Sequence, residues 1–322
     1  MKKLREEHIA IHAIGAYYFA NLPGRVTQEN LRILLFRACA PSTTEQSSVG
    51  PVCPPREARQ DKPMFNLHFH REANASLQSK PARADFPVLG GADLAGMIQG
   101  QRQGGDFYHF LRVSSHRVLF GLLDVAGRHA ENHLIVAGAQ RSFQDVGRQK
   151  FSTEDVNEAD AMMEFCLELN LSIIRTAGGV RSCAAFLGCY NEELGTICYT
   201  NAGHTPGLLR YGSEVHELPA TGLPLGLLKA ATYEAPTVAL PGGGALLLVS
   251  RGVVEATYKH DEFGLERVKH DFRNLPLDSA NEVAAGVLDA VRDFMHAKPT
   301  HNDVTTLALI RPAIAKVAKG SD

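Results

Sequence analysis

The chain has 322 residues, of which 33 are Lys or Arg and 35 are Asp or Glu, so its formal net charge is −2. This balance lacks the basic excess of nucleic-acid-binding proteins, while 44% hydrophobic residues are enough for a sizeable core. The apolar runs are too short to cross a bilayer, so no membrane span is expected. The six cysteines form no CxxC pair, which favours reduced core thiols in a cytoplasmic protein over a zinc or disulfide framework.

The first eighty residues are predicted to form a small appendage on a tether. Residues 3–21 have the spacing of an amphipathic helix, the only feature that suggests a membrane contact. Acidic residues and histidines interrupt this apolar stretch, so a signal peptide is not expected. From 41 to 63 the composition changes to Pro, Ser, Thr, Glu and Arg, which is typical of a flexible linker. We therefore predict a helical appendage over residues 1–40 and a partly flexible linker over 41–83.

A β-hairpin with an aspartate at each far end is predicted in the stretch GGDFYHFLRVSSHRVLFGLLDVAGRH. Two apolar runs, 107–113 and 118–123, flank a polar turn candidate at 114–117. Asp106 precedes the first run and Asp124 follows the second, and the midpoint of 106 and 124 falls in the turn. Residues equidistant from a turn lie opposite each other, so the two carboxylates are expected roughly 4.5–5.5 Å apart at Cβ. Such a pair needs solvent, a proton or a divalent cation between its members. The alternative is a solvated hairpin end with two acids by chance.

Helices and further strands are predicted after the hairpin. Apolar residues at helical spacing predict helices over 130–146 and 158–175, with the polar residues 152–155 capping the approach to the second. Strands are predicted at 183–189, 196–200, 206–211, 215–218 and 245–249, followed by a helix over 279–297 and a closing strand over 304–310. Antiparallel strands with helices inserted in pairs predict an α+β fold of two sheets covered by helices.

The motifs of this region resemble those of the metal-dependent protein phosphatases of type 2C, in the bacterial SpoIIE/RsbU-like branch. GGDFYHF and LDVAGRH resemble the paired GGDxYD and GDVSGxG signatures, and TNAGHTPGLL, GLPLG, LLLVSRGVVEA and HNDVTTLALIR follow in the same order. The resemblance implies a four-layer α/β/β/α sandwich, a phosphatase-like domain over residues 84–312 and a tail over 313–322. It also implies a phosphorylated regulatory protein, of the anti-sigma-factor-antagonist type, as the partner.

The resemblance further implies a metal centre built from oxygen ligands. In the family, two Mn²⁺ or Mg²⁺ ions share a carboxylate and activate the water that attacks phosphorus directly. Carried over by position, Asp124 is the bridging ligand, Val125 supplies a backbone carbonyl, and Asp106 holds metal-bound waters. Gly104 and Gly105 keep this corner open to the ligand.

Two positions of the second metal site depart from the family pattern. Arg251 and Asn302 stand where the resemblance implies aspartates, so the site is three charge units less negative, two for the arginine and one for the asparagine. A unit charge about 4 Å away is worth on the order of 4 kcal/mol at an effective dielectric near 20. We therefore expect the second ion to be absent or weakly held, with the Arg251 guanidinium in its place. Asp303 is intact and could assist, although regular strand from Val304 onward would turn it to the opposite side.

Lesser departures are His109, in place of the second acid of GGDxYD, and Leu123, in place of a glycine; both point to a weaker metal site. His204 matches the family motif NAGHxP, and a structural hydrogen bond at a turn is favoured over proton transfer.

Two functions remain open. One is an impaired phosphatase with one strong metal site, in which Arg251 clamps the phosphate. The other is an inactive member that binds phosphoproteins or acts as a partner-switching module.

Overall fold

A computed structural model describes residue 87 and residues 89–99, 105–127, 129–300 and 302–313. The predicted appendage over 1–40, the linker over 41–83, Gly104 and all but the first residue of the predicted tail lie outside the described residues. Within the described ranges, every helix is too short or too polar to cross a membrane.

Strands and helices follow one another along the chain in the order that the sequence predicts. The strands are β1 (Asp93–Gln99), β2 (Asp106–Arg112), β3 (Arg117–Val125), β4 (Cys183–Asn191), β5 (Thr196–Ala202), β6 (Gly207–Tyr211), β7 (Glu214–Leu218), β8 (Thr237–Ala239), β9 (Gly244–Val249), β10 (Thr257–Tyr258), β11 (Asp261–Glu262) and β12 (Val304–Arg311). The helices are α1 (His129–Phe151), α2 (Glu158–Ala177), α3 (Arg251–Val254), α4 (Gly264–Asn274) and α5 (Ala280–Phe294).

Two antiparallel sheets form the centre of the described part of the chain. One has the strand order β2-β3-β4-β5-β8 and the other β1-β12-β9-β6-β7. Their facing sides share an apolar core that contains Phe120 and Leu122 from the first sheet and Leu246 and Leu307 from the second. The predicted α+β fold of two helix-covered sheets is therefore confirmed.

Helices cover the outer side of each sheet and complete four layers. Phe143 of α1 and Phe165 of α2 pack in one core with β3 residues such as Leu119. On the other side, Phe272 of α4 and Val287 of α5 pack in a core with strands β9 and β12. β3 is buried along nearly its whole length because it lies inside its sheet with a layer on each face. The four-layer arrangement that the family resemblance implies is confirmed.

Element boundaries differ from the prediction where capping decides them. Asn157, not the stretch 152–155, caps α2, because its Oδ1 accepts hydrogen bonds from the N–H groups of Ala159 and Asp160 at 3.1 and 3.3 Å. That helix ends at Gly178, whose φ of 65° favours glycine. Helix α5 ends at Phe294, three residues before its predicted end. Strand β1 and helix α4 were not predicted.

Candidate active site

Asp106 and Asp124 lie directly opposite each other at the open end of the β2–β3 hairpin. The predicted cross-strand pair is therefore confirmed. Side chains alternate along a strand, so these aspartates share a face with Phe110 and Leu122, which belong to the core between the two sheets. The carboxylate pair thus lies at one end of the interface between the sheets.

The second sheet holds Asp106 from across this interface. The hydroxyl of Thr305, near the start of β12, donates a hydrogen bond to Asp106 Oδ2 at 2.7 Å. The backbone N–H of Thr305 donates to the Ser250 hydroxyl oxygen at 3.1 Å, and Ser250 also hydrogen-bonds Asp106. Both residues are fully buried. They were not predicted, although Ser250 directly precedes Arg251 and Thr305 lies two residues after Asp303.

Burial and mutual repulsion raise the proton affinity of the carboxylates. Burial raises the pKa of Asp106 to about 7, and the neighbouring Asp124 raises it too, against the hydrogen bonds from Thr305 and Ser250. Burial likewise raises the pKa of Asp124, while the charge of Arg251 lowers it and that of Asp303 raises it. These directions indicate that the folded protein, without a bound cation, disfavours the ionised form of both carboxylates, chiefly because they are buried.

Arg251 lies beside Asp124, with 3.5 Å between its Nη2 and Asp124 Oδ2. It begins α3 directly after β9, and its side chain is 55% exposed. Glu255 also lies near this guanidinium, with 3.8 Å between Arg251 Nε and Glu255 Oε2. The single guanidinium thus serves two carboxylates, Asp124 and Glu255, while Asp106 is hydrogen-bonded by the neutral hydroxyls of Thr305 and Ser250. That Arg251 stands in place of a second ion stays a prediction.

Asp303 turns toward the site, and the expectation that it faces away is wrong. Its residue is 4% exposed, and its charge raises the pKa of both Asp106 and Asp124. The expectation took position 302 as the inward one, but the side chain of Thr305 contacts Asp106. Asp303 precedes Thr305 by two residues, so strand alternation itself places Asp303 on the face of the carboxylate pair. Asn302, by contrast, is exposed, and its part in metal binding stays a prediction.

Gly105, Val125 and Asn132 form the corner next to the carboxylate pair. A Cβ on Gly105 would lie 2.1 Å from the Val125 carbonyl oxygen, so only glycine fits there. Asn132 donates from Nδ2 to the same oxygen at 2.9 Å, which leaves the carbonyl a second lone pair for a ligand. Asn132 is fully buried, and its Oδ1 has no hydrogen-bond partner among the described residues. The sequence signal that was missed is a polar residue on an otherwise apolar side of a helix.

His109 and Leu123 lie away from the carboxylates. His109 is three residues after Asp106 and so points to the opposite face, where its Nε2 is 3.1 Å from Gln144 Nε2 of α1. Leu123 belongs to the core under the helices. The interpretation of these two residues as departures that weaken the metal site is therefore wrong, because both pack against helices.

His204 is held as a buried turn residue, in agreement with the favoured interpretation. Its N–H donates to Asn201 Oδ1 at 2.8 Å, and its Nδ1 lies 3.0 Å from the Thr205 hydroxyl. Burial lowers the pKa of His204 to about 4, and the charge of Arg251 lowers it as well, against a backbone hydrogen bond at Thr205. The ring is therefore neutral near pH 7.

This low pKa predicts a loss of stability in mild acid. Between about pH 6.5 and 4 the unfolded chain binds a proton at His204 and the folded protein does not, so the free energy of unfolding falls as the pH falls. We expect His204 to account for about 2 kcal/mol of loss between pH 7 and pH 5. Urea unfolding at both pH values measures the effect. Between pH 7 and pH 5 the free energy of unfolding of His204→Gln should fall by about 2 kcal/mol less than that of wild type. The exposed His260→Gln is the control, and an unchanged loss in His204→Gln contradicts the prediction.

The donor set of the site fits one hydrated hard cation. Carboxylate and carbonyl oxygens are the ligands that Mg²⁺ and Mn²⁺ prefer, and Mg²⁺ usually keeps several waters beside one or two carboxylates. In the part of the chain that the structure describes, no three His, Cys, Asp or Glu side chains converge closely enough to bind a metal as a group. The pair Asp106 and Asp124 with the Val125 carbonyl is therefore a partial shell that water would complete.

Comparison with known sequences points to one phosphatase family. A model of the family described as Stage II sporulation protein E (SpoIIE) matches residues 114–312. Phosphoserine phosphatase RsbP of Bacillus subtilis (strain 168) is 28% identical over 154 residues, which are 48% of this chain and 37% of RsbP. Phosphoserine phosphatase RsbU of the same organism is 22% identical over 247 residues, 74% of this chain and 69% of RsbU. The chain thus spans little more than a third of RsbP.

Solved structures share the fold. The RsbU and RsbW domains of Rv1364c from Mycobacterium tuberculosis superpose with a TM-score of 0.59 at 21% identity, covering 71% of this chain and 63% of that one. The PP2C phosphatase domain of SpoIIE from Bacillus subtilis, with a fragment of its regulatory domain, gives a TM-score of 0.58 at 18% identity, covering 70% and 63%. At such identities the likeness establishes the fold, and function has to be argued from the site.

Proposed function

Because this chain belongs to the Stage II sporulation protein E (SpoIIE) family, we propose that it is a metal-dependent protein serine/threonine phosphatase. The reaction is hydrolysis of phosphoserine or phosphothreonine in a regulatory protein, and the proposed catalytic domain spans residues 84–312. The observation that carries this proposal is the buried, opposed pair Asp106 and Asp124, in which burial and the neighbouring carboxylate raise the pKa of Asp106.

Asp106, Asp124 and the Val125 carbonyl are the proposed holders of one Mn²⁺ or Mg²⁺ ion. When bound, such an ion lowers the pKa of water and neutralises phosphoryl oxygens. Thr305 and Ser250 fix the orientation of the Asp106 carboxylate by hydrogen bonds. Asp303 and Asn302 remain proposed contributors, Asp303 through its charge and Asn302 as a weak neutral ligand.

Arg251 is the proposed phosphate clamp. A guanidinium presents its N–H groups in a planar fork that matches two phosphoryl oxygens. The Arg251 side chain is about half exposed and 3.5 Å from Asp124, so it lies at the mouth of the site, where a phosphoryl group would enter. An exposed ion pair is weak enough for the guanidinium to exchange its carboxylate partner for phosphate.

The proposed substrate is a phosphorylated regulatory protein of the anti-sigma-factor-antagonist type. Support comes from the likeness to the phosphatases RsbP and RsbU and to a structure that joins RsbU and RsbW domains. A cytoplasmic location is proposed with it. The four described cysteines are buried free thiols, as a reducing compartment allows.

Hydrolysis of an aryl phosphate in the presence and absence of manganese tests the proposed activity. We expect phosphate release that requires the metal, stops on addition of a chelator and returns when manganese is restored. Release at the uncatalysed rate under all three conditions would end the proposal of an active phosphatase.

Arg251 also favours a second candidate function, an inactive relative that binds phosphoproteins. Its guanidinium contributes positive charge beside the carboxylate that the family uses as the bridging ligand. If this charge excludes both ions, the site keeps phosphate recognition without hydrolysis. Metal-independent binding of a phosphoserine peptide, without turnover, is the result that distinguishes this candidate.

A further inference from the structure

Two lysines and a histidine surround one aromatic ring on the surface. We name this group the Tyr258 cluster; it comprises Tyr258, Lys259, His296 and Lys298. The ammonium groups of Lys259 and Lys298 lie 5.4 and 5.1 Å from the centre of the Tyr258 ring. The His296 ring is 4.4 Å from the same ring, centre to centre. Both lysines and the histidine are exposed.

The backbone holds this cluster in an unfavourable conformation. Among the described residues, positive φ outside glycine occurs at Lys259 (60°), His296 (50°) and Ala297 (57°). All three belong to the cluster or adjoin it. Left-handed backbone is costly for residues with a Cβ and persists where the surrounding structure imposes it. Lys259 stands in the two-residue turn between β10 and β11, and His296 and Ala297 lie just after the end of α5. One lysine of the cluster thus leaves the backbone from a tight turn and the other from the segment that follows a helix end.

The two lysines of the cluster also differ from other cations nearby. Arg267 pairs with Asp261 at 2.7 Å, and Arg292 pairs with Asp289 at 2.7 Å. Lys259 and Lys298 have no carboxylate within ion-pair distance in the part of the chain that the structure describes. Asp261 lies opposite Tyr258 across β10 and β11, but its carboxylate is paired with Arg267. The two ammonium groups at the Tyr258 ring therefore attract an anion from solution.

The Tyr258 cluster and the candidate active site are carried by the same two chain segments. Tyr258 lies seven residues after Arg251, and Lys298 lies five residues before Asp303. These segments touch, since a Cβ on Gly252 would lie 2.0 Å from the Asp303 carbonyl oxygen. The Lys298 segment also lines a cavity of about 300 Å³. An extended chain advances about 3.3 Å per residue, so the five residues from Lys298 to Asp303 limit the separation of their Cα atoms to about 17 Å. An extended peptide spans that distance with about five residues.

We propose that the Tyr258 cluster is a docking subsite for an acidic segment of the phosphoprotein substrate, a few residues from its phosphorylated side chain. This inference rests on the proposed phosphatase function and adds what the substrate must carry. Carboxylates of the peptide meet Lys259 and Lys298, whose ammonium groups the Tyr258 ring holds within cation–π distance. Recognition is therefore electrostatic and weakens with added salt.

Peptide binding tests the docking subsite separately from catalysis. Two labelled phosphoserine peptides, one with Asp and Glu beside the phosphoserine and one with Ser and Gly there, are titrated with the full chain in chelator at low salt and followed by fluorescence anisotropy. We expect wild type to bind the acidic peptide about tenfold more tightly, as two partly exposed charge contacts allow. The variant Lys259→Gln/Lys298→Gln should bind both peptides alike. Lys229→Gln, which removes an exposed lysine elsewhere, should keep the preference.

Three outcomes separate the docking inference from its alternatives and from the proposed function. A double variant that keeps the tenfold preference overturns the inference. So does loss of binding to vesicles of phosphatidylserine and phosphatidylcholine with an unchanged peptide preference, because that assigns the cluster to a membrane surface. If the wild type shows the preference but hydrolyses neither peptide with manganese, the docking site stands and the proposed catalysis fails.

Discussion

Asp124→Asn is expected to lower the manganese-dependent hydrolysis of an aryl phosphate on the order of a thousandfold. The substitution keeps the size of the side chain and removes the charge that, with Asp106, would hold the ion. Metal stabilisation of transition-state charge is worth several kcal/mol, and each 1.36 kcal/mol is about tenfold in rate. Initial rates at saturating manganese measure the effect.

Stability measurements separate this loss from misfolding. Burial raises the pKa of Asp124, so the folded metal-free protein binds its proton more tightly than the unfolded chain and loses stability as the pH rises above the unfolded pKa. At pH 8 the metal-free Asp124→Asn protein should therefore be at least as stable as wild type. The exposed Asp145→Asn on α1 is the control for both assays. A variant that is stable and as active as wild type would falsify the assigned role of Asp124.

Arg251→Asp combined with Asn302→Asp is expected to create a second manganese site and to raise the rate about tenfold. The two changes make the site three charge units more negative, two at position 251 and one at position 302. In the protein interior, three charge units would change the electrostatic free energy of cation binding very strongly. The Arg251 side chain is 55% exposed, so solvent screens much of this change. Isothermal calorimetry should find one manganese ion per wild-type chain and two per double-variant chain.

The single variant Arg251→Ala shows which role the guanidinium has. If Arg251 clamps the phosphate, this variant should lose activity because it removes the clamp without adding a ligand. If the guanidinium only repels a second ion, the same variant should gain activity. Two tight manganese sites in wild type would contradict the proposal that Arg251 weakens the second one, and no gain in the double variant would place the defect elsewhere.

The sequence was most informative where geometry followed from counting along the chain. Placing residue 115 at the centre of the turn was enough to set Asp106 opposite Asp124, because pairing in a hairpin is symmetric about its turn. The layers could be predicted because apolar residues repeat at every second position in the strands and at every third or fourth position in the helices. The position of Arg251 came from the resemblance, since nothing in its local pattern brings it to a distant hairpin.

Tertiary contacts explain what the sequence did not reveal. The direction of Asp303 depends on which face of β12 meets the other sheet, and alternation alone does not decide between the two faces. Thr305 reads as an ordinary strand residue, and only the packing of two sheets brings its hydroxyl to Asp106. Strand β1 was missed because its stretch DLAGMIQ has little alternation, and α4 because just two of its residues, Val268 and Phe272, are buried.

The hydrogen bond from Thr305 to Asp106 joins the two sheets at the point where the chemistry is proposed. One sheet carries the carboxylate pair, and the other carries Ser250, Arg251 and Asp303, so neither sheet holds the whole site. A slide of one sheet past the other by less than an ångström would stretch that bond and move the guanidinium relative to the acids. The geometry of the site is therefore fixed by the packing between the two sheets as much as by the residues of either one.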